Sequence, residues 1–304
     1  MSEPRAFFAS AFGLKWQSDI LLSGFSACDD DNTVPDIIVR RADGIPHRLG
    51  GTPVNRGFVY ADGVRLVWEQ CATFDMYDGN RIDYVPGSDW RGPLPAAFFS
   101  TLAALIMAWR RSIPLHACTV AINGRATLIC GDTGAGKSTL AAALVARGAK
   151  FVADDLSVMT SDPNTRNVSV QPGRPAIRLY PATAKWLAPW RIEPAPDDPR
   201  GKYLVYPPVR AKDQAMALCQ IIILTKNGHS IPPLARYPHL LEHLFRPRWM
   251  RALPHHDHRL GSLFMIAHQV EMISYRITPV NTEDNFYEHA ERALRIMESP
   301  SSKR

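Results

Sequence analysis

Residues 131–139 have the residue types and spacing of a phosphate-binding loop, G-x-x-x-x-G-K-[ST]. The loop consists of Gly131, Asp132, Thr133, Gly134, Ala135, Gly136, Lys137, Ser138 and Thr139. Its glycines let backbone N–H groups turn toward phosphate oxygens, Lys137 can reach the β- and γ-phosphates, and the hydroxyl of Ser138 can bind Mg²⁺. An apolar run precedes the loop and an alanine-rich segment follows it. This context predicts a nucleotide-phosphate site rather than a glycine turn before an ordinary helix.

Two adjacent carboxylates, Asp154 and Asp155, follow the loop, the first of them seventeen residues after Lys137. They end a strand-like run, Lys150–Ala153, and ligands of α/β sheets bind at the carboxyl ends of strands. If this strand lies next to the loop strand, one aspartate can hold Mg²⁺ while the other accepts a proton. An exposed surface turn is the alternative. We predict Asp154 as the metal ligand and Asp155 as the base, and the sequence leaves the reverse assignment open.

A hairpin is predicted upstream of the loop, where Asn123-Gly124 separates two apolar runs, Leu115–Ile122 and Arg125–Cys130. The hairpin makes the loop strand antiparallel to the strand before it. His116 lies near the outer end of the first strand, so the pairing should bring it close to the phosphate loop. A histidine packed in the core is the alternative for His116.

The chain is expected to divide into a small β-rich amino-terminal domain, residues 1–92, and a catalytic domain, residues 93–304. The β-type runs of the first part are Asp36–Val39, Gly63–Trp68 and Arg81–Val85. The apolar stretch Leu94–Arg110 is predicted to be a buried helix that joins the two parts, because it is too short to span a membrane. A second helix is predicted over Ser138–Arg147, and the proline-rich segment 194–202 is predicted to be a mobile loop.

The pattern from Leu115-His116 through the hairpin and the loop to Asp154-Asp155 resembles the catalytic domain of the HPr serine kinases. That family has a fold similar to the nucleotide-binding part of phosphoenolpyruvate carboxykinase and phosphorylates a serine hydroxyl on a protein. The resemblance implies an α/β fold, with a P-loop kinase core of the HPr kinase / phosphoenolpyruvate carboxykinase type and a small β-rich N-terminal domain. The carboxyl end has no stretch like the arginine-and-glycine loop with which HPr kinases bind and dephosphorylate HPr.

The order of a β-rich segment, an apolar helix and the loop also resembles HPr kinase-related proteins encoded with peptide-modification systems. Some of those proteins phosphorylate a serine of a lasso-peptide precursor. The resemblance therefore implies ATP and Mg²⁺ as cofactors and a serine-bearing peptide or protein as the substrate. Its motif residues map onto His116, Lys137, Ser138, Asp154 and Asp155 as the catalytic and metal-binding set.

Three further basic residues could neutralise charge on a transferred phosphoryl group: Arg174, Arg178 and Lys202. They lie in the proline-rich region that follows the two aspartates. Solvated surface cations are the alternative for each of them.

Composition is typical of a globular protein, with 304 residues of which 46% are hydrophobic and 21% are charged. The five cysteines are odd in number and widely spaced, which predicts no disulfide framework and a cytoplasmic location. The first residues lack the pattern of a signal peptide. A formal charge of +6 favours anionic partners, but no nucleic-acid motif accompanies the basic and aromatic stretch 246–251. We expect neither a nucleic-acid nor a membrane partner, and a homo-oligomer is left open.

Two histidine-rich patterns and two other functions are alternatives to the peptide kinase. His239 and His243 match an H-x-x-E-H zinc pattern, but no third ligand can be named for them, and a solvated helix turn is the better account. His255, His256 and His258 could bind a metal incidentally, and an exposed polar loop is the alternative. A kinase of a small-molecule hydroxyl and a nucleotide-gated peptide-binding protein without transfer activity remain alternatives to the peptide kinase. His116 with two aspartates beside a phosphate loop favours an enzyme over a binding protein.

Overall fold

The computed structural model describes residues 6–68, 70–162, 165, 167–195, 198, 200–211, 214–225 and 231–298. Over these residues the chain has a mixed α/β fold with two large sheets and one small sheet. In the same part of the chain, no helix is both long and apolar enough to cross a membrane.

The first large sheet is built entirely from residues 7–86. Its nine strands are β1 (Phe7–Ala11), β2 (Leu14–Ser18), β3 (Ser26–Ala27), β4 (Ile37–Arg41), β5 (Thr52–Val54), β6 (Gly57–Tyr60), β7 (Gly63–Trp68), β8 (Ala72–Tyr77) and β9 (Arg81–Pro86). They lie in the order β3-β1-β2-β4-β9-β8-β7-β6-β5. The three runs predicted as strands are confirmed in β4, β7 and β9, and the domain boundary near residue 92 stays a prediction.

The predicted helix 94–110 is buried as expected but starts later and is irregular. A π-helical segment, Phe98–Leu102, leads into helix α1 (Ala103–Trp109). Proline lacks the N–H that a helix interior needs, and the first main-chain bond here runs from Phe98 N to Pro95 O at 2.9 Å. Phe98 is 1% exposed and its ring contacts those of Trp16 and Phe25, so this segment closes the core of the first sheet.

The remaining chain forms the second large sheet, the small sheet and six more α-helices within the described residues. The strands are β10 (Ile113–Leu115), β11 (Cys118–Ile122), β12 (Arg125–Cys130), β13 (Lys150–Ala153), β14 (Ser157–Ser161), β15 (Val168–Gln171), β16 (Ile177–Leu179), β17 (Arg191–Pro194), β18 (Tyr203–Tyr206), β19 (Met216–Thr225) and β20 (Glu271–Arg276). The helices are α2 (Lys137–Ala146), α3 (Pro181–Ala184), α4 (Pro233–Glu242), α5 (Pro247–Ala252), α6 (His256–Gln269) and α7 (Glu283–Glu298).

The second sheet has the order β10-β14-β15-β19-β12-β11-β13, and β20 pairs with β19. Strands β12, β19 and β20 are parallel to one another. Strands β12 and β13 both pair antiparallel with β11, so they also run in the same direction. The carboxyl ends of β12, β13, β19 and β20 therefore lie along one edge of the sheet. The expectation that β13 lies next to the loop strand is wrong, because β11 is inserted between them.

The predicted hairpin is confirmed, with Ile122 opposite Arg125 and positive φ angles of 50° and 77° at Asn123 and Gly124. Its first strand is shorter than predicted, since β11 begins only at Cys118.

The strand is broken because the chain turns between β10 and β11. Ala117 N donates to Leu115 O at 3.0 Å, and His116 N donates to His243 O at 2.8 Å. Strand β10 therefore pairs with β14 instead of continuing along β12. His116 lies in this turn, outside both strands.

Helices cover both faces of the second sheet. Adjacent residues of β12 point to opposite faces, so Leu128 packs in the layer with Leu240 and Leu263, whereas Ile129 packs in the layer with Leu140 and Phe286. Helices α4 and α6 thus lie on one face and α2 and α7 on the other.

The small sheet has the order β16-β18-β17 and carries the segment predicted to be a loop. Ala195 N donates to Lys202 O at 3.0 Å, so residues 195–202 connect two paired strands. Pro196, Asp197 and Pro199 of this segment lie outside the described residues.

Candidate functional site

The phosphate loop runs from the carboxyl end of β12 to the first residue of α2. Three of its glycines have φ angles that side chains rarely adopt: 152° at Gly131, 84° at Gly134 and 93° at Gly136. A Cβ atom at Gly136 would lie 2.7 Å from Ile277 Cδ1, so the backbone there is packed against a neighbouring side chain. The loop conformation places the free N–H groups of a helix amino terminus next to the site, where they favour an anion.

Lys137 is held at the loop although it is almost fully buried, with 6% exposure. Its ammonium donates to Gly131 O at 2.7 Å and to Asp132 O at 3.0 Å. Both partners are neutral carbonyl groups, so these hydrogen bonds leave the positive charge of Lys137 without a counterion. A buried cation in this position is ready to pair with phosphate oxygens.

Asp154 lies beside the loop and is 3% exposed. Its Oδ1 atom accepts from Ser138 Oγ at 2.7 Å and from Cys118 Sγ at 2.8 Å, while its Oδ2 atom accepts from the main-chain N–H of Arg178 at 2.8 Å. A carboxylate oxygen and a hydroxyl oxygen therefore lie side by side, and these are hard donors of the kind that Mg²⁺ prefers. The donor set fits a magnesium ion.

Asp155 forms a separate pair with His116. His116 Nδ1 lies 3.2 Å from Asp155 Oδ1 and 3.0 Å from the main-chain O of Asp155. Both partners are acceptors, so Nδ1 carries a proton. The two side chains are 33% and 32% exposed, which places the carboxylate where a second substrate can reach it. Asp155 itself has a φ of 67°, a strained conformation for a residue with a side chain.

The charges around Asp155 are mainly positive. Burial raises the pKa of Asp155, but the hydrogen bond and charge of His116, with the charges of Arg178 and Arg174, outweigh this effect and lower it to about 2. Asp155 is therefore ionised at neutral pH.

Arg174 precedes β16, and Arg178 is the middle residue of that strand. Arg174 Nε donates to Gly24 O at 3.3 Å, and its guanidinium lies 5.4 Å from the ring centre of Phe99. Burial and the neighbouring charge of Arg178 lower the pKa of Arg174 to about 10. Arg178 Nη1 lies 3.9 Å from Asp198 Oδ2, and its buried Nε has no hydrogen-bond partner among the described residues. Two positively charged guanidinium groups thus lie near the carboxylate of Asp155.

The structure brings most of the candidate residues together. Lys137, Ser138 and Asp154 form one group, and His116, Asp155, Arg174 and Arg178 form a second group that adjoins it through the consecutive aspartates. Lys202 directly precedes β18 of the small sheet, and its ammonium lies 5.1 Å from the ring centre of Tyr180.

Two site residues were missed by sequence reasoning. Cys118 is fully buried, and burial together with the charge of Asp154 raises its pKa well above the ordinary value. His243 is 7% exposed, and burial with the nearby charge of Lys137 lowers its pKa to about 4. Cys118 carried no motif signal, and His243 was considered only as part of a zinc pattern.

The histidine clusters do not assemble into a metal site. His239 Nδ1 lies 3.5 Å from Glu242 Oε2 within α4. Among the described residues, no group of three or more His, Cys, Asp or Glu side chains is arranged to hold a metal ion.

The protein thus has a mixed α/β fold in which the loop with the phosphate-binding motif lies at the amino terminus of a helix, and two aspartates lie beside this loop. Residues 108–173 match the family model of the HPr Serine kinase C-terminal domain, and this segment contains His116, the loop and both aspartates. The similarity to this family rests on that segment of the chain.

Among solved structures, the chain is similar to the HPr(Ser) kinase/phosphatase from Coxiella burnetii. The two share 15% sequence identity, with 60% of this chain and 98% of that chain aligned and a TM-score of 0.32. No curated protein matches the sequence.

Proposed function

We propose that this protein is an ATP-dependent serine kinase that phosphorylates a hydroxyl on a protein or peptide. The observation that carries the proposal is the placement of two consecutive aspartates in two different roles. Asp154 is bonded to the loop hydroxyl of Ser138, whereas Asp155 faces solvent and is paired with His116. Phosphoryl transfer to a hydroxyl requires one group that holds the metal ion and another that orients the hydroxyl and accepts its proton.

We propose further that the core belongs to the HPr kinase / phosphoenolpyruvate carboxykinase type and that residues 1–92 form its β-rich amino-terminal domain. The sheet made only of residues 7–86 and the phosphate loop at the end of β12 support this division.

In the proposed mechanism, the loop backbone and Lys137 bind the β- and γ-phosphates of ATP. Lys137 must exchange its bonds to the carbonyls of Gly131 and Asp132 for phosphate oxygens, which gives its buried charge a counterion. Ser138 and Asp154 would hold Mg²⁺, which neutralises charge on the phosphates when it is bound.

Asp155 is the proposed base. Phosphoryl transfer has a loose transition state, so the acceptor hydroxyl needs orientation first and gives up its proton late. A carboxylate with a pKa of about 2 is a weak base, and this favours hydrogen bonding to the hydroxyl over early deprotonation. His116 acts as a positioning residue, because its protonated Nδ1 fixes both the carboxylate and the main chain of Asp155.

Arg174 and Arg178 are proposed to stabilise negative charge that develops on the transferred group. The unpartnered Nε of Arg178 supports this role, since a buried donor without a partner is costly unless a ligand accepts from it. Lys202 would need to leave Tyr180 to take part.

A serine-bearing peptide, such as a lasso-peptide precursor, is the proposed acceptor, and the cytoplasm is the proposed location. Two observations support a peptide acceptor. The side chain of Asp155 is 32% exposed. Arg174 is hydrogen-bonded to Gly24 O, so a loop of the first sheet lies beside the candidate site. The five cysteines, all of which lie within the described residues, form no disulfide, which suits a reducing compartment.

The test is mass spectrometry of a serine-bearing precursor peptide incubated with the protein, Mg²⁺ and ATP, with Lys137→Ala as the control. The expected result is a phosphorylated serine with the unmodified protein and none with the variant. If ATP binds but no peptide or protein serine gains a phosphate, the peptide-kinase proposal is wrong. Phosphorylation of a small hydroxyl compound under the same conditions would identify the alternative acceptor class.

A further inference from the structure

The strand order determines which side of the phosphate loop receives the end of the phosphate chain. Strand β13, which delivers Asp154, lies on one side of β12, whereas β19 and β20 lie on the other side. Asp154 reaches the loop through Ser138 at 2.7 Å. With Mg²⁺ held by Ser138 and Asp154 as proposed above, the terminal phosphates would face β13, and a nucleoside attached to the other end of the phosphate chain would extend toward β19 and β20.

The segment 277–282 occupies that second side, because it follows the carboxyl end of β20. Ile277 N donates to Thr225 O at 3.2 Å, which fixes the start of the segment to the end of β19. The side chain of Ile277 reaches the loop, since its Cδ1 atom lies 2.7 Å from the position of a Cβ at Gly136. Half-buried Ile277 thus forms an apolar surface beside the first residue of α2.

The polar side chains of this segment are engaged, with one exception. Thr278 Oγ1 lies 3.0 Å from His289 Nε2, and Thr282 Oγ1 accepts from Asn285 N at 3.2 Å at the start of α7. The amide of Asn281 is exposed and has no hydrogen-bond partner among the described residues. Asn281 is therefore the side chain of segment 277–282 that is available to a ligand.

We infer that segment 277–282 binds the nucleoside of the nucleotide, with Ile277 packed against the base or ribose and Asn281 hydrogen-bonded to the edge of the base. A carboxamide presents one donor and one acceptor side by side, and this pattern complements the donor and acceptor edge of adenine. The ligand class is an adenine nucleotide. The inference rests on the proposed function, because it uses the phosphate position assigned there.

The experiment compares ATP with inorganic tripolyphosphate, which has the phosphates of ATP but no nucleoside. Binding of each in the presence of Mg²⁺ is measured by calorimetry for the unmodified full chain, Ile277→Ala and Asn281→Ala. Matched controls are Ile122→Ala, a half-buried isoleucine at the hairpin turn on the opposite edge of the sheet, and Asn80→Ala, an exposed asparagine of the first sheet. Far-ultraviolet circular dichroism checks that each variant is folded.

The expected result is that Asn281→Ala weakens ATP binding about fivefold, the loss of one hydrogen bond. Ile277→Ala should weaken it about tenfold, because an apolar contact is removed. Asn281→Ala should not change tripolyphosphate binding, and Ile277→Ala should weaken it less than ATP binding, because Ile277 also packs against Gly136 of the loop. Neither control should change the affinity for either ligand. GTP should bind the unmodified protein more weakly than ATP, and Asn281→Ala should reduce that difference.

Two outcomes would overturn the inference in different ways. If ATP binds no more tightly than tripolyphosphate, or if both variants keep the affinity for ATP, the nucleoside lies elsewhere while the phosphate loop keeps its role. If neither ATP nor tripolyphosphate binds the unmodified protein, the proposed kinase function fails and the nucleoside site fails with it.

Discussion

Replacing each aspartate in turn separates the roles that the structure supports. Asp155→Asn keeps the shape of the side chain but removes its charge and its capacity to accept a proton. Because general base catalysis contributes roughly 10²- to 10⁴-fold, we expect the rate of transfer to fall by about that factor. The affinity for Mg·ATP should change little, since the hydrogen bonds of Ser138 and Lys137 go to Asp154 and to loop carbonyls rather than to Asp155.

The effect of Asp155→Asn on stability should be small. A pKa lowered from 3.8 to about 2 corresponds to roughly 2.4 kcal/mol for a fully buried group. The side chain is 32% exposed, so solvent screening reduces this to about 1 kcal/mol.

Asp154→Asn should behave differently, because its carboxylate accepts from three donors while it is 3% exposed. An amide nitrogen in place of either oxygen would face a donor, and an unsatisfied buried group costs about 1–3 kcal/mol. We therefore expect a lower melting temperature and a marked rise in the Mg²⁺ concentration needed for half-maximal activity.

The assay measures initial rates of peptide phosphorylation against Mg²⁺ concentration, ATP binding by calorimetry, and unfolding by circular dichroism, for both variants. The reasoning would be refuted if Asp155→Asn transferred phosphate within about threefold of the unmodified rate, a change too small for loss of a base. The assignment of Asp154 as the metal ligand and Asp155 as the base would be reversed if Asp155→Asn changed the Mg²⁺ requirement and Asp154→Asn did not.

Three further outcomes are expected. Gly136→Ala should lower the melting temperature more than Gly134→Ala, because both residues have positive φ but a Cβ meets a neighbour only at Gly136; equal shifts would contradict this. Asp155 has a folded-state pKa below its unfolded value, so its contribution to stability is present above about pH 4 and is lost as pH falls toward 2. The fall in unfolding free energy between pH 5 and pH 2, measured by denaturant titration, should be smaller in Asp155→Asn by about 1 kcal/mol, and an unchanged fall would disprove the linkage. Cys118 is fully buried with a raised pKa, so a thiol reagent followed by peptide mass spectrometry should label half-buried Cys219 in the native state and Cys118 only after unfolding; equal labelling would contradict the buried site.

Local signals made much of the fold predictable. Asn123-Gly124 fixed the hairpin, because a two-residue turn with positive φ needs those residue types. The loop and α2 were also confirmed, since the motif and its flanks specify a strand, a turn and a helix in order.

Long-range pairing was less predictable. The break at His116 depends on the main-chain O of His243, which is far away in the sequence and has no recognisable pairing signal. The position of β13 beyond β11 likewise follows from tertiary packing, because apolar runs of four residues can pair with either neighbour.

The site was predictable in its residue types but not in its contacts. The motif located Asp154 and Asp155, but only the fold shows that consecutive residues face different partners. Asp155, with a φ of 67°, pairs with His116, whereas Asp154 accepts from Ser138. Cys118 could not be foreseen, since a buried cysteine in a strand is more often an ordinary core residue.

Arg178, the middle residue of β16, interacts with both aspartates, so segment 174–178 is common to the two halves of the candidate site. Its main-chain N–H holds Asp154 Oδ2, and its guanidinium contributes to the positive charge that lowers the pKa of Asp155. The same segment carries Arg174, which is bonded to Gly24 O of the first sheet. One short segment, 174–178, therefore connects the first sheet to both aspartates, so the positions of the two carboxylates depend on how that segment packs against residue Gly24.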